Sequence, residues 1–241
     1  MNAQVENRGK NSFRNILTGF LGKVIVFLFA FVTRTIFIRL LGAEYTGVSG
    51  LYSNILQVLS LADLGIHTVL AYSLYQAIKD QNQSLIASLI HYYKKIYFII
   101  GATVIIIGLS LCPVLHLITN VSISESRLLL YYILFLADTA ASYFFVYRTT
   151  MIEADQKQYI SNLVGVIASL LTYILQILYL LLVRDYIGFL IIQVLCTIGR
   201  NVVISAIVGK KYPFLKDKTL INDKQINKKT LFSNIKATFF Y

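Results

Sequence analysis

Six long apolar runs, separated by short polar segments, dominate the chain at residues 16–41, 48–75, 96–117, 128–150, 163–183 and 187–208. A helix needs ~20 mainly apolar residues to cross a bilayer, and each run reaches that length. Isolated strands would leave unpaired backbone groups in lipid. The pattern therefore predicts an all-α fold, a polytopic transmembrane bundle of six spans over residues 16–211. The second run is long enough for a helix that protrudes from the bilayer. Pro113 falls near the end of the third run, where a missing backbone donor does least harm, and Pro213 follows the sixth as a helix stop. Residues 1–15 read as a polar, basic arm. The run behind them exceeds the 7–15-residue core of a signal peptide, so it is a retained first span. Residues 212–236 read as a basic, solvated linker, and residues 237–241 turn apolar again as the start of a seventh span.

Polar residues inside the runs recur at helical spacing. At ~100° per residue, Ser49, Ser53, Gln57, Ser60, Asp63 and His67 fill one arc of roughly 120°. Tyr131, Asp138, Ser142 and Thr149 align in the fourth run. Asn162, Gly165, Ser169, Tyr173 and Gln176 share a face in the fifth, as do Gln193, Thr197 and Arg200 in the sixth. Lys23 and Arg34 share a face in the first run, about 16 Å apart along the axis. The third run has no such stripe and reads as mostly lipid-facing. Small polar residues alone are explained as glue between packed helices. Arg34, Asp63, Asp138 and Arg200 demand more, because ionic groups at membrane depth must be paired or wet. An Arg34–Asp63 ion pair would satisfy two of them. A polar-lined cavity between the helices accounts for charges and stripes together.

Composition agrees: 57% of the 241 residues are hydrophobic and 14% are charged, against ~25% charged in an ordinary soluble domain. The net charge of +11 would suggest nucleic acid in a soluble protein. Here the cations lie mainly in short loops, and no nucleic-acid partner is expected. Assigned to alternate sides of six spans, sixteen of the 22 Lys and Arg residues fall on one side and three on the other. The excess places both ends of the chain in the cytoplasm. Trp is absent, but 17 Tyr and 15 Phe supply interfacial anchors. Cys112 and Cys196 fall in apolar runs and form no CxxC pair. His67, His91 and His116 have no metal-ligand spacing, and no phosphate-cradling GxxxxGK[ST] or GxSxG elbow is present. No enzyme, metal or cofactor is expected.

Two segments, Arg34-Thr-Ile-Phe-Ile-Arg-Leu-Leu-Gly-Ala-Glu-Tyr-Thr-Gly47 and Leu51-Tyr-Ser-Asn-Ile-Leu-Gln-Val-Leu-Ser-Leu-Ala-Asp-Leu-Gly65, together carry a specific likeness. Tyr72-Ser-Leu-Tyr75, Tyr92-Tyr-Lys-Lys-Ile-Tyr97, Ala154-Asp-Gln-Lys-Gln-Tyr159 and Tyr212-Pro-Phe-Leu215 extend it. From Phe13 onward the chain resembles bacterial polysaccharide flippases of the Wzx type, in the MOP superfamily that also holds the MATE exporters. Arg39 and His67 depart from the pattern, where an uncharged and a small residue are expected. The resemblance implies two related bundles around a central cavity, so this chain looks like the N-terminal half of a longer protein whose C-terminal half is missing. It implies transport of an undecaprenyl-diphosphate-linked oligosaccharide from the inner to the outer leaflet of the bacterial cell membrane, among membrane lipids and alongside the polysaccharide polymerase machinery. Charge chemistry fits: Lys23, Arg34 and Arg200 suit a diphosphate, and Gln57, Gln176 and Gln193 suit sugar hydroxyls. Asp63 and Asp138 are candidates for a coupling H+ or Na+. Two other readings remain: a MATE-like exporter of small cations, which needs a carboxylate-dominated cavity, and a non-transporting scaffold subunit whose stripes a neighbouring helix fills.

Overall fold

The computed structural model describes residues 2–60, 64–115 and 121–222 and positions 225, 226, 231, 233 and 237, with backbone alone for residues 2–14, 17, 64 and 65. Among the described residues, eight α-helices follow the apolar runs: α1 (Asn2–Leu41), α2 (Ala43–Ser60), α3 (Leu64–Lys79), α4 (Gln83–Ser110), α5 (Glu125–Tyr143), α6 (Val146–Ala154), α7 (Gln158–Leu182) and α8 (Tyr186–Lys211). Among the described residues there is no strand. Among the described residues, four stretches are long and apolar enough to cross a membrane: Thr18–Leu41, Gln83–Val114, Gln158–Leu182 and Tyr186–Lys211. A fifth exists if α5 and α6, bent by 42° at their junction, are one broken span. The expected second span is occupied by α2 and α3, and residues 61–63 between them lie outside the described residues, as do 238–241 of the expected seventh.

The helix boundaries differ from expectation for local reasons. The arm at residues 1–15 is already helical from Asn2. The third span starts at Gln83 rather than residue 96, because Asn82 caps it: its side-chain oxygen accepts from Leu85 N at 2.9 Å. The turns before α4 and α7 close in the Schellman manner, with Asn82 N donating to Ala77 O and Lys157 N to Ile152 O. Such turns usually carry glycine in the left-handed position. Here Gln81 and Gln156 occupy it, at φ 51° and 57°, so the sequence hides both breaks. The chain bends between α5 and α6 at residues 144–145 without proline or glycine.

A lipid-facing surface is evident from the large apolar side chains that remain outside. Phe20, Phe98, Ile106 and Leu195 are each more than 60% exposed, a surface that water would not tolerate in such density. The interior instead holds a tyrosine cluster, with Tyr52, Tyr93, Tyr97, Tyr131, Tyr132 and Tyr186 all buried. α1 packs along α7, α7 and α5 pack on α8, and α4 packs on α5.

At the lysine-rich end, α1 supplies a cap that α7 lacks. Asn15 Oδ1 accepts from Tyr159 N at 2.6 Å, and its Nδ2 donates to Gln156 O at 3.2 Å. The first N–H groups of a helix have no internal partner, and Lys157 provides no side-chain cap. We expect Asn15→Ala to cost about 1–2 kcal/mol, read as a lowered unfolding midpoint in detergent with unchanged helix content. An unaltered midpoint would remove this role.

The segment after α8 is not a solvated linker at its start. Ser84 Oγ donates to Leu220 O at 2.7 Å, and Asn222 N donates to Ser88 Oγ at 2.8 Å, tying residues 220–222 to α4. Tyr212 donates to Asp155, which also pairs with Lys157. Burial first, and then that bond to a carboxylate, raise the Tyr212 hydroxyl well above the ordinary tyrosine range.

Candidate functional site

The polar stripes converge where the helix pattern turns them inward. A cavity of about 800 Å³ opens between α1, α2, α5, α7 and α8. α2 contributes its whole described stripe, Ser49, Ser53, Gln57 and Ser60, because steps of three and four residues keep one face turned to it. Arg34 enters from α1, Asp138 and Thr139 from α5, Tyr173 and Gln176 from α7, and Gln193 from α8. α4 contributes nothing, as its lack of a stripe suggested.

Within this cavity Gln176 is 1% exposed. Its Nε2 donates to Gln193 Oε1 and to Phe189 O, both at 3.2 Å, so the amide pair is fixed and α7 is tied to α8. Ser49 and Tyr186 share a hydrogen bond of 2.6 Å. Arg34, Ser53 and Gln57 stay exposed on the cavity wall, and among the described residues Arg34 has no ion pair. Asp63, its candidate partner, lies outside the described residues. Asp138 Oδ1 is buried with no hydrogen-bond partner among them.

Two expected members are elsewhere. Lys23 is exposed and lines neither this cavity nor the next. Arg200 is half-buried in a second cavity of about 300 Å³, with His67, Ser142, Thr149, Ser161 and Asn201. The three cations are thus not gathered in one lumen. Helical periodicity fixes the angle of a side chain about its own axis, not the neighbour it meets farther along. Lys23 follows Gly22, which abuts Val166 of α7, many residues from the level of Gln176.

The apolar wall was not foreseen. Phe37 meets Tyr186 edge-on and Phe189 at a tilt, with ring centres 5.4 and 5.0 Å apart, and Tyr131 lies 4.6 Å from Tyr186. Aromatic residues in an apolar run look like anchors or core, so composition carried no signal for them. The Ser49 stripe position was the one clue to Tyr186. The contact of His67 Nε2 with Glu153 Oε2, at 3.2 Å, was equally hidden, since it joins α3 to α6. No group of three or more metal-ligating side chains occurs among the described residues, and both cysteines are free.

One open cavity is therefore lined by a cation, a carboxylate, amides, hydroxyls and aromatic side chains together. That combination suits a ligand with an anionic group and polar hydroxyls. A family model described as "Polysaccharide biosynthesis protein" matches residues 12–240. No curated protein and no solved structure gives a significant match.

Proposed function

This chain belongs to the polysaccharide biosynthesis protein family, and on that premise we propose that it moves an undecaprenyl-diphosphate-linked oligosaccharide from the inner to the outer leaflet. The observation that carries this reading is the placement of Arg34 in an 800 Å³ cavity among helices long enough to span a bilayer. A diphosphate is costly to desolvate, and a guanidinium answers it with short, charge-assisted hydrogen bonds. Gln57, Gln193 and the hydroxyls of Ser53 and Tyr173 meet the sugar. The second bundle that the family resemblance implies would close the exposed side, and rocking of one bundle against the other gives alternating access. The lysine-rich end faces the cytoplasm of a bacterial cell by the charge rule. The polymerase machinery then receives the sugar on the outer face.

Asp138 is the coupling candidate. Its buried, unpartnered oxygen is suited to a proton or Na+ that is bound and released with each cycle, with Asp63 as the second carboxylate. A MATE-like exporter would want carboxylates to dominate, and the cavity's described charges are one cation and one acid.

The test is leaflet accounting in cells that depend on this gene product. Depletion is expected to leave lipid-linked oligosaccharide on the inner leaflet, measured by protection from an added outer-face glycosidase. Asp138→Asn is expected to support transport that no longer responds to an imposed ion gradient. Normal outer-leaflet levels on depletion, with raised sensitivity to cationic drugs, would replace this reading by the exporter. A gradient response preserved in Asp138→Asn would remove the coupling role alone.

A further inference from the structure

The geometry points to a second anion-binding station: the cavity around Arg200, separate from the Arg34 cavity and nearer the lysine-rich end of the bundle, binds a diphosphate group. Three helices run past both cavities and set their order. On α7, Tyr173 and Gln176 line the first while Ser161 and Gly165 line the second. On α8, Gln193 lines the first and Arg200 and Asn201 the second. At 1.5 Å per residue the offset is roughly 10 Å along α8 and 12 Å or more along α7. On α5, Asp138 gives way to Ser142 in the same sense. The second cavity lies toward the ends carrying Lys157, Lys210 and Lys211. Arg148 marks that end too, donating to the carbonyl of Ser205 at 3.0 Å.

Among the described residues, the lining of this cavity carries one arginine and no carboxylate. Arg200 has no hydrogen bond or ion pair among the described residues, although it is half-buried. Glu153 of α6 lies 3.2 Å from His67 Nε2, so that carboxylate already has a partner. A half-buried cation at membrane depth without a partner is costly, and an anionic ligand lowers the cost. Neutral donors stand beside it. Ser161 Oγ is buried with no hydrogen-bond partner among the described residues. Asn201 spends one N–H on Ala141 O at 3.2 Å and keeps another. Thr149 adds a hydroxyl. A volume of about 300 Å³ admits a diphosphate and not an oligosaccharide beside it. The inference rests on the flippase reading for its meaning: the head group is held first at Arg200 and then passes to Arg34.

The probe is inorganic pyrophosphate, titrated at low ionic strength into the purified full chain in lipid nanodiscs, with bound ligand counted by 31P NMR. We expect two sites per wild-type chain, one in Arg200→Gln, one in Arg34→Gln, and two again in Arg200→Lys. A single wild-type site lost only in Arg34→Gln overturns the second station and leaves the flippase reading intact. A single site lost only in Arg200→Gln removes the role of Arg34 instead, and no binding at all removes both. Should Arg200→Gln lose both sites through misfolding, Ser161→Ala and Thr149→Ala decide. Each is expected to weaken one site several-fold, and two unchanged affinities overturn the proposal. Undecaprenyl diphosphate in the nanodisc is expected to compete at both sites. Failure to compete at the Arg200 site would make its ligand a soluble diphosphate and take it off the lipid's route.

Discussion

Arg34→Glu is expected to abolish export of surface polysaccharide, a fall of at least about 100-fold. A charge-assisted hydrogen bond is worth ~1.5–3 kcal/mol, and each ~1.4 kcal/mol is a factor of ten. Reversal both removes such bonds to the diphosphate and installs repulsion in the cavity, so the two losses add. Arg34→Gln, which only removes the charge, is expected to lose about tenfold by the same conversion. Arg39→Gln, five residues on and exposed, lines neither cavity and serves as the matched control, with export unchanged. The measurement is surface polysaccharide per cell at equal protein level in the membrane. Arg34→Glu with normal export would take the anion out of the cavity.

The second large effect is steric. Ser53 lies exposed on the α2 wall of the main cavity, so Ser53→Trp places an indole in the cavity without disturbing a packed core. Export is expected to fall about tenfold or more while the unfolding midpoint stays near wild type. This variant leaves every charge in place. It therefore separates a requirement for space from a requirement for Arg34. The scaffold reading expects the opposite pattern, since a neighbouring helix already filling the cavity would be expelled and stability or assembly would suffer first.

Much of this arrangement could be read from the chain, and the failures are instructive. Apolar runs located α1, α4, α7 and α8, because in lipid only the length of an uncharged run and internal hydrogen bonding matter. The Ser49-Ser53-Gln57-Ser60 stripe located the α2 wall, because a period near 3.6 in polar residues is rare by chance in such a run. Depth was harder. Gln193 and Arg200 share a face of α8, yet they open into different cavities, since α5 and α7 present different side chains at successive levels. Lys23 failed for the same reason. The bend between α5 and α6 carries no proline or glycine, and the left-handed Gln81 and Gln156 sit where glycine would have announced a break. Tyr186 lies just outside the sixth expected span and belongs to no polar stripe, although it contacts Phe37, Tyr45, Tyr131 and Phe189.

The most direct test of the central claim is contact. A photo-crosslinking amino acid at position 53 is expected to capture the lipid-linked oligosaccharide in native membranes, detected as a sugar-bearing adduct of the chain. The same group at position 98, on the exposed outer side of α4, is expected to capture ordinary lipid alone. Adducts of the sugar-lipid at position 98 and none at position 53 would contradict the account, because the charged cargo would then travel outside the cavity that Arg34 lines.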